Sequence, residues 1–203
     1  MGLTGGSKGI RYSPHDSIWK IQCMSDLLNT VIEIESKKRK LNSDDISNIR
    51  SFMHNVGDIE SNNISTRYQG DSEESAGRGK YQFENNKGSN SAKTAANRLN
   101  QWEKLNQKLP ISEKDREELK KPSPDFSVLS EETQDALFLI NLSVAPNVPF
   151  TDIAKGKIPQ KEAWIKYHWA GSEDEAASKS KMWDMRMIKN KAKQAKTFIE
   201  SLF

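Results

Sequence analysis

The 203 residues contain one cysteine, Cys23, so no internal disulfide can form and no cysteine-based zinc site can be built. Histidine is almost as scarce. His15, His54 and His168 lie far apart in sequence, which points away from a metal centre, and no cofactor is implied. No apolar run approaches the roughly 20 residues that a membrane-spanning helix needs. Neither sign of charge dominates: 31 Lys and Arg stand against 28 Asp and Glu, a formal net charge of +3. A chain-wide attraction to nucleic acid is therefore not expected. The opening MGLTGGSKGIRYSPHDS has no apolar stretch of the signal-peptide kind. Gly6 stands where the myristoylation pattern needs Ser or Thr, so neither a secretory signal nor a myristoyl anchor is expected.

What is present is polar, with 34% hydrophobic and 29% charged residues and a mean hydropathy of −0.80. Five Trp and seven Phe nevertheless supply large side chains for a core. Such a chain can bury that core only if some segments stay outside it, as arms or long exposed helices. The expectation from composition is a soluble, mainly α-helical protein.

Residues 1–14, with four Gly, two Ser, a Thr and a Pro, read as an extended arm. Apolar residues at Ile18, Ile21, Met24, Leu28 and Val31 then predict an amphipathic helix of about 20 residues. It ends in Lys37-Lys38-Arg39-Lys40, read as a solvated helix end complementing the dipole, or as a phosphate or partner contact. A second helix opens at Ser43-Asp44-Asp45 and carries Ile46, Ile49, Met53 and Val56 at steps of three, four and three. One more step of four lands on Glu60, which period alone places on the core-facing stripe in the last turn. A carboxylate there loses hydration, the condition a general acid needs. The alternative is a helix that ends at Gly57, with Glu60 an ordinary loop acid.

Residues 62–90 are rich in Asn, Ser, Gly and charge, long for a plain connection, with Gly79 to Phe83 as a short strand or turn. The next helix carries Ala92, Ala95, Ala96, Leu99 and Trp102 on one face, a pattern for close helix packing. Residues 106–129, with Pro110, Pro122 and Pro124, read as a linker with one short helix at 112–120. Ser130 caps a helix whose body is Ala136-Leu137-Phe138-Leu139-Ile140. Trp164 to Trp169 follow Pro159, and Ser172 with Glu175 forms a capping box for a last helix. That helix is expected to present Ile188, Ala192, Ala195, Ile199 and Leu202 to a partner or to the first helix. The domain reading is 1–42 as arm and amphipathic helix, 43–171 as the functional domain, and 172–203 as a docking helix.

Ile59-Glu60-Ser61-Asn62, followed by Gly77-Arg78-Gly79-Lys80-Tyr81-Gln82-Phe83, resembles the active-site signature of lytic transglycosylases and goose-type lysozymes. There, a helix ends in Glu-Ser and a Gly-x-x-Gly-aliphatic-x-Gln-aliphatic segment follows on a β-hairpin. Gln82 stands 22 residues after Glu60, slightly wider than usual. Segments 129–139 and 164–169 look like parts of peptidoglycan-degrading proteins carried in the virions of tailed bacteriophages, and the likeness covers about 55–170. The resemblance implies a lysozyme-like α+β fold and cleavage of the β-1,4 bond between N-acetylmuramic acid and N-acetylglucosamine.

Within that resemblance Glu60 is the general acid/base. Ser61 would orient Glu60 or a sugar, or else serve a cap-like structural role. Gly79 and Gln82 match the hairpin motif, with the Gln82 amide facing the glycan. Tyr81 would pack beneath a sugar ring or belong to the core. Tyr167 stands where the family has an Ala-Tyr-Asn-x-Gly motif but departs at the Asn position, and would orient substrate through its hydroxyl. Trp164 and Trp169 either line sugar subsites or pack as a helical pair. One carboxylate suffices for a transglycosylase, whereas a hydrolase usually needs a second, for which Asp71, Glu73 and Glu74 are candidates. The implied partners are peptidoglycan glycan strands, and virion or tail proteins through the N-terminal arm and C-terminal helix. The implied location is the phage virion, acting in the periplasm or cell wall. A structural virion component that keeps the fold without turnover, and a nucleic-acid-binding helical protein using Lys37–Lys40 and the C-terminal lysines, are the other readings.

Overall fold

Helix α5 (Glu131–Val144) is the centre of the molecule, and its sequence explains why. Ala136, Leu137, Phe138, Leu139, Ile140 and Leu142 are apolar on every side of the helix, and all six are buried. A helix of that kind is stable only when covered all round. The computed structural model describes residues 26–67, 77–85, 90–169 and 173–200. Among them the fold is mainly helical, with one two-stranded antiparallel sheet.

Two helices flank α5: α1 (Asp26–Arg39) and α3 (Ser91–Leu105). The buried face of α1 is Leu27, Leu28, Val31 and Ile32, with Glu35 below them. These residues belong to the same core as α5, so the boundary expected after residue 42 does not coincide with a break in packing. Its predicted earlier part, with Ile18, Ile21 and Met24, lies outside the described residues, as does the arm. Arg39, expected in a solvated basic run, turns inward instead. Its Nε is 2.8 Å from a Glu35 oxygen and its Nη2 donates to the Ser143 carbonyl at 2.7 Å. On α3 the small-residue face is buried as the spacing predicts, from Ala92 to Trp102.

Helix α2 (Ser43–Ser61) starts at a capping box. The Asn42 side chain accepts from the Asp45 N–H, and the Asp45 carboxylate accepts from the Asn42 N–H, satisfying two otherwise orphaned donors. The helix continues through Gly57 and closes at Asn62, whose φ of 57° is left-handed. The Asn63 N–H reaches the Gly57 carbonyl at 2.9 Å, completing the C-terminal lock. Strands β1 (Gly77–Arg78) and β2 (Phe83–Glu84) pair in register Arg78 with Phe83, and Gly79–Gln82 is the turn between them.

Residues 106–129 are not a linker. Helix α4 (Glu113–Lys120) lies close to the expected place, but Leu109, Ile111, Leu119 and Phe126 are all buried in the core. The prolines there shape a packed path. After two short helices, α6 (Phe150–Ala154) and α7 (Gln160–Ala163), the chain passes directly into a π-helix, Trp164–Trp169. Helix α8 (Glu173–Glu200) has 28 residues, about 42 Å of rise. Its contact with the core is made by buried Trp183 and half-buried Met182 and Met187. Ile188 is 67% exposed and Ala192 and Ala195 are exposed, so of the two expected neighbours, a partner or the first helix, this stripe does not pack on the first helix. The Ile199 side chain, Leu202 and the Ser172 cap lie outside the described residues.

Candidate functional site

Glu60 sits in the last turn of α2, on the stripe that Ile49, Met53 and Val56 bury. Its side chain is 11% exposed, so the helix does not end early and the carboxylate is turned inward. What meets it comes from the far end of the chain. The Trp164 indole Nε1–H donates to Glu60 Oε1 at 2.7 Å. Trp164 itself is fully buried and packs on Trp183 of α8 with ring centroids 5.4 Å apart. It is therefore a core residue that carries a hydrogen bond to Glu60, and its ring faces are not a sugar platform. The side chain of Trp169 lies outside the described residues.

One helical turn beyond Trp164, His168 places Nε2 3.9 Å from Glu60 Oε1 and 3.1 Å from the Tyr81 carbonyl. The shorter contact fixes the ring: Nε2–H donates to the carbonyl. Edge-on contacts with Phe138 at 5.2 Å and Phe83 at 6.0 Å complete its cage. Burial pushes the His168 imidazole below its ordinary value, and Lys179 adds to that effect. Glu60 and the Tyr81 carbonyl oppose it without overturning it. The ring is neutral near neutral pH.

The turn that supplies this carbonyl is clamped. Gly79 has φ +74°, and a Cβ there would lie 2.4 Å from Gln134 Oε1, so both the backbone and the close approach require glycine. Gln134 Oε1 instead accepts the Lys80 N–H at 2.7 Å. The Lys80 ammonium lies 2.9 Å from Glu131 and 2.9 Å from Asp135. The Tyr81 hydroxyl donates to Asp135 at 2.7 Å while its ring stacks on Phe138 at 4.0 Å. Burial alone would lower the Lys80 pKa, but Asp135 and Glu131 outweigh it and raise it. Burial raises Asp135 against the pull of Lys80 and Tyr81. Burial, with Asp135 beside it, drives Tyr81 well above its ordinary value.

The predicted site residues thus divide. Ser61 is buried: its hydroxyl lies 3.0 Å from the Gly57 carbonyl and 2.8 Å from the Lys80 carbonyl, and accepts the Ile64 N–H at 3.1 Å. It ties the end of α2 to the turn, and is not placed to hold a sugar. Tyr81, 1% exposed, belongs to the core. Gly79 shapes the turn. The Gln82 Nε2 donates back to the Gly79 carbonyl at 2.7 Å, while its Oε1 is buried with no partner among the described residues. Tyr167 is half-buried against the core, with the Lys166 ammonium 5.4 Å from its ring centre. Asp71, Glu73 and Glu74 lie outside the described residues.

The group that reaches Glu60 from this part of the chain is His168, next in sequence to the Tyr167 singled out above. The four-residue step from Trp164 to His168 was the available signal, since both residues share a helical face. Lys80 and Asp135 were also missed, because nothing local links positions 55 residues apart. Among the described residues no cluster of His, Cys, Asp and Glu is arranged to hold a metal ion, and no helix is long and apolar enough to cross a membrane. No family model, curated protein or solved structure matches the chain.

Proposed function

We propose that the protein cleaves the β-1,4 glycosidic bond of bacterial peptidoglycan, with Glu60 as general acid/base, as a phage virion-associated lytic enzyme of lysozyme-like fold. The observation that carries this reading is the setting of Glu60. A single carboxyl is withheld from bulk water at a helix end, with a neutral hydrogen-bond donor on one oxygen and, among the described residues, no Lys or Arg paired to it. That setting suits the general-acid role the reading gives it. The sequence likeness of Glu60-Ser61 and Gly79 to Phe83 supplies the substrate class.

In the proposed reaction Glu60 gives its proton to the glycosidic oxygen as the C1–O bond breaks and its electron pair leaves with that oxygen. The muramoyl C6 hydroxyl then attacks C1 and passes its proton to the Glu60 carboxylate. The product is a 1,6-anhydro sugar, and the acid is restored.

The second reading, a structural virion component without turnover, is favoured by a different observation. Helix α8 is tied to the same end of α2: Arg186 pairs with Asp58 at 2.6 Å, and Asn190 donates to Asp58 at 3.0 Å. Incubating wild type and Glu60→Gln with purified peptidoglycan, then analysing released muropeptides by mass spectrometry, separates the cases. Anhydro-muramoyl products from wild type alone are expected. Reducing-end muramic acid would mean hydrolysis and turn attention to Asp71, Glu73 and Glu74. No product from wild type, on a preparation that a known lysozyme digests, would leave the structural role.

A further inference from the structure

Helices α3 and α4 leave between them a cleft of about 390 Å³, within the usual size of a small-molecule site. None of the residues around Glu60 lines it. On α3, Lys93, Ala96 and Asn100 follow steps of three and four, so they share one face, and the small Ala96 leaves a notch between longer neighbours. On α4, Arg116, Leu119 and Lys120 share a face in the same way. Lys108 reaches the cleft from the connection between the two helices. Ala96 and Leu119 are buried, so the floor is apolar. The charged residues that line the cleft, Lys93, Lys108, Arg116 and Lys120, are all positive. Walls of one sign concentrate ions of the other.

How much of that charge is already engaged decides what the cleft fits. The Arg116 guanidinium gives both terminal nitrogens to Glu103, at 3.3 Å and 2.8 Å, and Nη2 also meets the Leu109 carbonyl. Its fork, the natural match for a planar carboxylate, is therefore occupied. Lys120 pairs with Glu117, but both side chains are exposed, and such a pair is weak. The Lys93 ammonium donates to the Lys120 and Lys121 carbonyls at 3.2 Å and 2.8 Å. Those acceptors are neutral, so the ammonium keeps its charge and a third N–H. Lys108 is exposed and, among the described residues, is held by no hydrogen bond or ion pair. What the cleft offers a ligand is compact ammonium groups rather than a guanidinium fork, the form in which lysine binds phosphate.

We propose that the cleft between α3 and α4 binds the phosphate of a small phosphomonoester, with Lys93 and Lys108 as the charged contacts and Lys120 at the rim. The exposed Asn100 carboxamide suits a hydroxyl of that ligand, and Ala96 and Leu119 suit its carbon skeleton. The site stands apart from the reading of Glu60, and its test involves no turnover.

The full chain is titrated with glycerol 3-phosphate and with inorganic phosphate, followed by calorimetry and by amide NMR shifts. Saturable binding at one site is expected, with the largest shifts at residues 93–100 and 116–120 and an affinity that falls as salt is raised. Lys108→Gln removes a side chain that holds no other part of the fold and is expected to weaken binding about tenfold. Lys93→Met is expected to act by a similar factor, and Lys191→Gln, on α8, to leave binding unchanged. Glycerate, a carboxylate of similar size, is expected to bind more weakly than glycerol 3-phosphate. Absence of saturable binding by both phosphate probes overturns the proposal, as does binding that survives Lys108→Gln and Lys93→Met alike. Glycerate binding as tightly as glycerol 3-phosphate overturns the assignment to phosphate. Glu60→Gln is expected to bind glycerol 3-phosphate as wild type does, so failure of the cleft and failure of the glycan reading are seen separately.

Discussion

Among the described residues two pairs of tryptophan and glutamate share the same hydrogen bond in different surroundings. Trp102 donates to Glu35 at 2.7 Å, and Trp164 donates to Glu60 at 2.7 Å. Glu35 also receives the Arg39 guanidinium at 2.8 Å, and Arg39 is held in turn by the Ser143 carbonyl, so the negative charge is permanently matched. Among the described residues Glu60 has, besides its indole, the ring of His168 at 3.9 Å. A carboxylate fixed by a guanidinium is a strut between helices, because Arg does not give up its proton in water. One faced by an indole and an imidazole has no such fixed counter-charge beside it. The comparison separates a structural use of the residue pair from the chemical use proposed for Glu60.

The largest expected effect lies in activity. Glu60→Gln should cost about 10²- to 10⁴-fold in glycan cleavage, the usual contribution of a general acid, with an unfolding midpoint close to wild type. Glu35→Gln should do the reverse. Leaving Arg39 without its buried partner should cost about 3 kcal/mol in denaturant unfolding, while the specific activity of the folded fraction stays near wild type. If both variants lose activity equally, the distinction between the pairs is gone.

A smaller effect is expected from the tryptophans. Trp102→Phe and Trp164→Phe each remove one hydrogen bond to a carboxylate, worth about 1.5–3 kcal/mol. Only Trp164→Phe should also alter the pH profile of cleavage. The smallest effect concerns stability and acidity. His168 titrates below its ordinary value of 6.5 in the folded protein, so the unfolded chain takes up its proton first. Stability from this residue is fully present above that value and is lost as pH falls through it toward the folded value. Asp135 works with the opposite sign in the carboxylate range, because its folded value is raised. The difference between wild type and His168→Gln isolates the histidine: the variant should lose less stability between neutrality and pH values below 6.5.

Much of this framework was legible in the sequence because it is local. The apolar stripe of α2 led directly to Glu60, the small-residue face of α3 was read correctly, and the run from Ala136 to Ile140 marked the central helix. The failures share a cause. The residues around Pro110 and Pro122 looked like a linker because charge and proline dominate, yet a few apolar side chains at irregular spacing bury the segment. On α8 the stripe of Ile188, Ala192 and Ala195, expected against a partner or the first helix, is exposed, and Trp183, which offers far more area to bury, sets which face turns inward. Tyr81 and Ser61 stood between a ligand role, from their place in a motif, and a structural one. Their partners, Asp135 and the Lys80 carbonyl, are supplied by parts of the chain that no periodicity connects to them. The Glu60 environment has the same character, since His168 follows 108 positions later in the chain.

That separation has a consequence for synthesis. Glu60 leaves the ribosome about 100 residues before Trp164 and His168, an interval of about 5–20 s at ordinary elongation rates. Throughout it, the nascent chain holds an acidic side chain on an apolar helix stripe with neither the indole nor the imidazole to receive it. A product cut short before Trp164 would keep α2, the hairpin turn and the central helix, and still lack the enclosure that makes its glutamate unusual. The enclosure of Glu60 is completed only once residues 164–168 have been made.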